Sequence, residues 1–158
     1  MIWQHGRMAR HHVQVPLRWS DMDAYGHVNN VQFLRLLEEA RVAALAAAGG
    51  DSGGSLVTTG LIVAHCEIEY LNPLVYRPGP VDIDVWVTRI GAADFDMGYE
   101  VLDRGDPDHP RLYARAETML VVFDLTADRP RRLTPDEQDR LKDWLDGGVQ
   151  WRRRRSRR

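Results

Sequence analysis

Residues 31–48 constrain the fold of this chain more than any other stretch. Val31, Leu34, Leu37, Ala40, Ala44, Leu45 and Ala48 recur at three- and four-residue spacing, the period of a helix. Phe33, Leu36 and Val42 widen that arc beyond the stripe of a helix lying on a surface. Such a helix must be deeply buried, and Gly49 and Gly50 end it.

The rest of the chain reads as the material that buries it. Residues 13–19 form a first strand, kinked or ended at Pro16, whose missing N–H suits a sheet edge. Past the Gly/Ser-rich residues 49–55, residues 61–71 alternate, with Ile62, Ala64, Cys66, Ile68 and Tyr70 on one face and His65, Glu67 and Glu69 on the other. Val81, Ile83, Val85 and Val87 alternate with Asp82, Asp84 and Trp86, and Phe95, Met97, Tyr99 and Val101 continue the period-two pattern. Residues 112–124 supply a long last strand. Thr134, Pro135 and Glu137 then start a short helix through Asp146, stopped by Gly147.

One strand, one long helix and four successive strands with short turns favour an antiparallel sheet. The expected fold class is α+β: a curved antiparallel sheet of about five strands wrapped around one central helix, with a short C-terminal helix. A sheet of that size leaves edges, and two copies pairing through an edge is the natural expectation.

At 158 residues the chain suits one domain, expected over 13–147, with a flexible segment at 1–12 and a basic, disordered tail at 148–158. The six arginines from Arg152 to Arg158 contribute +6 to a net charge of −2, so the preceding 151 residues carry −8. An acidic body argues against a nucleic-acid-binding domain, although such a tail alone would bind anions in a salt-dependent manner. Cys66 is the single cysteine, which rules out an intrachain disulfide and fits a reducing compartment. Neither a signal peptide nor a membrane-spanning run is present, so a soluble, cytoplasmic protein without membrane partners is expected.

The chemistry concentrates between the first strand and the helix, in Arg18-Trp19-Ser20-Asp21-Met22-Asp23-Ala24-Tyr25-Gly26-His27-Val28-Asn29-Asn30. The run from Asp21 to Asn30, followed by Leu37-Glu38-Glu39-Ala40-Arg41, resembles the signature of hotdog-fold acyl-CoA thioesterases of the 4-hydroxybenzoyl-CoA thioesterase type. Tyr70-Leu71-Asn72-Pro73-Leu74, Ile90-Gly91 and Tyr99-Glu100-Val101 continue the likeness, which covers roughly residues 13–124. The resemblance implies the hotdog fold, an acyl-CoA substrate, a homodimer or homotetramer, and a catalytic carboxylate at Asp23 beside the N-terminus of the central helix.

Thioester chemistry agrees with a sparse site. The leaving thiol has a pKa near ~8.5, so one carboxylate and an oxyanion site suffice, and no cofactor or metal is expected. Asp23 acts either as general base on water or as nucleophile. His27 and Asn30 are the further catalytic candidates, positioning water or polarising the carbonyl, while amides at the helix N-terminus face the developing oxyanion. Tyr25, Gly26, Val28 and Asn29 are the candidate substrate contacts, Gly26 by permitting close backbone approach. Arg77 and Arg89, with Arg104, are candidates for the phosphates of coenzyme A by loop position. Asp21 reads as structural, tied to Arg18 or to backbone donors, and Glu38 as an ion-pair partner of Arg41. Asp94 departs from the family pattern, where a small hydroxyl residue is frequent, and adds a negative charge there.

Other readings of the same residues give different expectations. Asp21, Asp23 and His27 as divalent-metal ligands would make activity chelator-sensitive. A non-catalytic module binding acyl-CoA or an acyl carrier protein would bind without releasing thiol.

Overall fold

The structure, a computed structural model, describes residues 9–49, 60–105 and 110–152. The elements are β1 (His11–Pro16), one turn of 3-10 helix (Trp19–Asp21), α1 (Asn30–Ala48), β2 (Leu61–Tyr70), β3 (Pro80–Ile90), β4 (Asp94–Asp103), β5 (Arg111–Asp124), β6 (Arg129–Pro130) and α2 (Pro135–Lys142). The strands form one sheet in the order β1-β3-β4-β5-β2, with the short β6 added to β5 and every strand pair antiparallel. β1 and β2 are therefore edges, and Pro16 is the last residue of an edge strand, opposite Pro80.

The core lies between α1 and one face of this sheet. Phe33, Leu36, Leu37, Ala40, Ala44 and Leu45 are the buried residues of α1. Opposite them, alternate residues of β3 (Val81, Ile83, Val85, Val87) and β4 (Phe95, Met97, Tyr99, Val101) are fully buried, as one side of a pleat must be. Contacts of α1 with β1 and β3 seat the helix across that face.

Burial of the helix is one-sided, short of the deep burial that its apolar arc suggests. Val31, Leu34 and Val42 are 69%, 50% and 43% exposed. A single sheet touches one side of a helix, so the apolar arc outruns what the described residues cover. Nor does Glu38 pair with Arg41, whose Nη1 instead donates to the Tyr99 hydroxyl at 3.4 Å.

The far face of the sheet is covered as well. Asp82, Asp84 and Trp86 of β3 are buried. Arg104 binds both oxygens of Asp84 at 2.8 and 2.6 Å, and His12 reaches Asp82 at 3.1 Å and Asp84 at 3.3 Å. Trp86 lies against Gly98, where an added Cβ would sit 2.6 Å from the indole, and Arg10 stacks over the ring at 3.8 Å. The Trp86 Nε1–H donates to the Gly147 carbonyl at 2.8 Å. His11 and His12, expected in a loose segment, are thus part of the sheet.

The C-terminal helix stops at Lys142 rather than Asp146 because the next residues join β3. Val87 N–H donates to Trp144 O and Asp146 N–H to Val87 O, each at 2.9 Å. The chain then crosses the far face of the sheet: the Gln150 carbonyl accepts from Arg115, and Arg152 N–H donates to Glu69 on β2 at 3.1 Å. The first residues assigned to a disordered tail therefore make defined contacts, whereas 153–158 lie outside the described residues. No helix among the described residues is long and apolar enough to cross a membrane.

The start of α2 is as the sequence predicts, with Thr134 Oγ1 accepting from Glu137 N–H at 3.2 Å and Glu137 accepting from Thr134 N–H at 2.8 Å. Arg131 grips the same carboxylate at 2.8 and 2.7 Å. That ion pair, helped by Thr134, holds the Glu137 carboxyl below its ordinary value of 4.5. A depressed carboxyl stabilises the fold above its unfolded pKa and loses that contribution as pH falls through the folded value. Glu137→Gln should therefore destabilise the protein by about 1–2 kcal/mol at neutral pH, with the gap closing below about pH 4.5, as read by urea unfolding at several pH values.

Candidate active site

The segment between β1 and α1 folds as a small hairpin with Asp23 at its base. Met22 bridges Val28, and Asp23 N–H donates to His27 O at 2.8 Å. Gly26 N–H closes a turn onto Asp23 O at 3.2 Å, and Gly26 has φ +75°, a left-handed conformation that a glycine adopts without strain. Aspartate opening the turn and glycine closing it are the residue types this geometry favours.

The two aspartates serve different ends. Asp21 is buried, and its Oδ2 accepts from Arg18 N–H at 2.7 Å and from Arg35 Nη2 at 2.6 Å. Arg35 and Arg18 also share Glu39, at 2.6 and 3.1 Å. This network ties the loop to the first turns of α1. Asp21 is thus a buried structural tie, and unlike Asp23 and His27 it does not line the cavity described below.

Asp23 is half-buried, and its Oδ1 accepts from Tyr25 N–H at 2.8 Å and His27 N–H at 3.2 Å. Among the described residues no donor reaches its other oxygen. The carboxylate lines a cavity of about 280 Å³ together with His27, Val28, Asn30, Phe33, Tyr70, Leu71, Asn72 and Pro73.

The N-terminus of α1 opens beside this cavity. Asn29 caps the helix through Val31 N–H at 3.1 Å, and Gln32 N–H donates to Asn29 O at 2.8 Å. Among the described residues, Asn30 N–H has no acceptor. One helix-terminal amide is thus free where the dipole is positive.

Of the residues singled out in the sequence, Asp23, His27, Val28 and Asn30 come together at the cavity, and Asn29 stands behind them as the cap. Tyr25 is 84% exposed, and neither it nor Gly26 lines the cavity. The three arginines are engaged elsewhere: Arg77 with Asp103 at 3.2 Å, Arg89 with Asp96 at 2.6 Å and Asp94 at 2.7 Å, Arg104 with Asp84. The negative charge of Asp94 is accordingly offset by Arg89, whose guanidinium is held firmly protonated by Asp96 and Asp94.

Sequence reasoning did not assign Phe33, Tyr70, Leu71, Asn72 or Pro73 to the site. Tyr70 is 40 residues from Asn30, yet its hydroxyl donates to the Asn30 carbonyl at 3.1 Å. Asn72 Nδ2 donates to Leu112 O at 2.7 Å, and Val28 N–H to Leu74 O at 2.7 Å, which holds the turn after β2 against the Asp23 hairpin. The Tyr70-Leu71-Asn72-Pro73-Leu74 motif was the available signal.

Comparison with known proteins bears on this geometry. The chain is 30% identical over 141 residues to the 1,4-dihydroxy-2-naphthoyl-CoA hydrolase of Synechococcus elongatus, covering 87% of this chain and 96% of that one. A Thermus thermophilus thioesterase solved with coenzyme A and zinc superposes with a TM-score of 0.69 at 26% identity, over 84% of this chain and 92% of that one. A thioesterase-superfamily protein from Jannaschia sp. CCS1 shares the fold, with a TM-score of 0.70 at 19% identity over 87% and 85% of the two chains. The thioesterase-like superfamily matches residues 17–145, from the end of β1 past α2. With the hairpin, α1 and strands β2 to β6 inside that span, this hotdog-fold chain belongs to the thioesterase-like superfamily.

Proposed function

We propose that the protein hydrolyses an acyl-CoA thioester to the free acid and coenzyme A, with Asp23 as the reacting carboxylate. The observation that carries this reading is a carboxylate anchored through one oxygen by two backbone amides, on a residue that lines a cavity beside a helix N-terminus. Anchoring removes the freedom that would otherwise have to be frozen at the transition state.

In the proposed reaction the thioester carbonyl lies in the cavity with its oxygen towards Asn30 N–H. A water deprotonated by Asp23, or the Asp23 carboxylate itself, adds to the carbonyl carbon. The developing oxyanion is stabilised by the amide and the helix dipole, and the C–S bond breaks to release the thiolate. In the nucleophilic route a mixed anhydride forms on Asp23, and water then hydrolyses it. His27 and Asn30 orient the water. The relatives named for 1,4-dihydroxy-2-naphthoyl-CoA hydrolysis and for bound coenzyme A support this substrate class.

Asp23→Asn preserves an acceptor for Tyr25 and His27 N–H, so the hairpin should survive. Thiol release from acyl-CoA should fall by about 10²–10⁴-fold. Unfolding free energy should change by less than about 1 kcal/mol. Asp21→Ala should instead lower stability by about 1–3 kcal/mol, because Arg18 N–H loses its acceptor and Arg35 one of its two carboxylate partners. Full activity in Asp23→Asn would defeat the reading.

The active form is, on this reading, a homodimer joined along β2. That strand has one edge unpaired, Ile62 and Val63 on it are exposed, and α1 carries the bare apolar residues Val31, Leu34 and Val42. A symmetric pairing would cover the face that one sheet leaves open. Leu34→Arg should shift the protein from dimer to monomer in sedimentation velocity. A wild-type protein that sediments as a monomer at micromolar concentration would refute the pairing.

A further inference from the structure

The chain beyond α2 crosses the far face of the sheet strand by strand. The Trp86 Nε1–H on β3 holds the Gly147 carbonyl, Arg115 on β5 holds the Gln150 carbonyl, and Glu69 on β2 accepts from Arg152 N–H at 3.1 Å. In the strand order β1-β3-β4-β5-β2 that path runs from β3 to the edge of the sheet. Five arginines, Arg153, Arg154, Arg155, Arg157 and Arg158, follow directly.

The surface at which they are delivered is short of cations. Glu67 and Glu69 lie two residues apart on β2 and so share the face that the chain crosses. Glu117 on β5 stands opposite Glu67 in register. Glu67 is exposed, and Glu69 and Glu117 are half-buried. Among the described residues none of the three has an ion-pair partner. Glu117 accepts from the Thr88 hydroxyl at 2.8 Å, and Arg115, which faces Glu69 in register, is turned to Glu100 and the Gln150 carbonyl. By contrast Asp84 has Arg104, and Glu100 and Asp146 have Arg10. Like charges directly opposite each other on a sheet repel, so Glu67 and Glu117 weaken the β2–β5 pairing unless a cation joins them.

We propose that residues 153–158 dock on this acidic strip of their own chain, their arginines pairing with Glu67 and Glu117. The run is then a strap over the β2 edge of the sheet and not a free anion-binding arm. Arg152, the first arginine of the run, is already seated on Glu69 through its backbone amide. Glu67 lies two residues along β2, roughly 7 Å away. Arg153 to Arg155 span up to about 10 Å when extended, which is enough to reach it. Five positive charges meet three negative ones.

The test is a double-mutant cycle on the full chain, read by thermal unfolding. One variant changes all five arginines from Arg153 to Arg158 to glutamine, the second is Glu67→Gln, and the third combines them. Glu67 is exposed and glutamine keeps its shape, so all three are compatible with folding. In low salt, neutralising the tail should lower Tm by about 1–4 °C, the scale of a few exposed ion pairs in a chain of this size.

Glu67→Gln should lower Tm when the tail is charged. It should raise Tm when the tail is neutral, because only the repulsion from Glu117 is then left to remove. Sodium chloride at about 0.5 M should erase this reversal by screening exposed charges. Additive effects in low salt would overturn the docking and leave the tail free for an anionic partner. Coupling that vanishes in the Leu34→Arg background would overturn it as well, by assigning the tail to a second copy of the chain. Neither result bears on the thioesterase reading.

Discussion

The packing of α1 on a single face of the sheet is the contact on which the rest of this molecule depends. Phe33, Leu36, Leu37, Ala40, Ala44 and Leu45 set the rotation of the helix about its axis, and that rotation has two consequences. It delivers the helix N-terminus, with the free amide of Asn30, to the edge of the cavity. It also turns Val31, Leu34 and Val42 away from the sheet, leaving apolar surface that no described residue covers. The geometry of the candidate site and an uncovered surface thus come from one packing arrangement.

Two aspartates two residues apart show how environment divides labour. Asp21 is buried and committed to Arg35 and a backbone amide, so it acts as a bolt between loop and helix. Asp23 sits at the base of the hairpin with one oxygen tethered, and it lines the cavity. The bolt places the hairpin, and the hairpin places the carboxylate. Tyr70 and the turn after β2 then close the site from a part of the chain remote in sequence.

The far face of the sheet repeats this logic with charge in place of apolar area. Buried Asp82 and Asp84 are matched by His12, Gln14 and Arg104, and the chain beyond α2 runs across that face to reach β2. Buried charges persist only where partners satisfy them, and here the partners come from β1 and from the residue that follows β4. Arg104 and Arg89 are each engaged with carboxylates, contacts that loop position alone does not show.

Much was legible before the structure, and the reason is locality. Period-two alternation in β3 and β4, the apolar arc of α1, and the Thr134-Pro135-Glu137 start of α2 are set by neighbours a few residues away, so the sequence carries them directly. The Asp-x-Asp-x-x-Gly-His hairpin is likewise local, its turn specified by an aspartate at one end and a glycine at the other. Tertiary structure alone decided which face of α1 is covered and that Tyr70 meets Phe33 and Asn30. It also decided that Arg77, Arg89 and Arg104 are spent on carboxylates, and that the chain after α2 joins β3 instead of prolonging the helix. Each of these depends on contacts between segments tens of residues apart, whose partners are chosen by packing and charge in three dimensions.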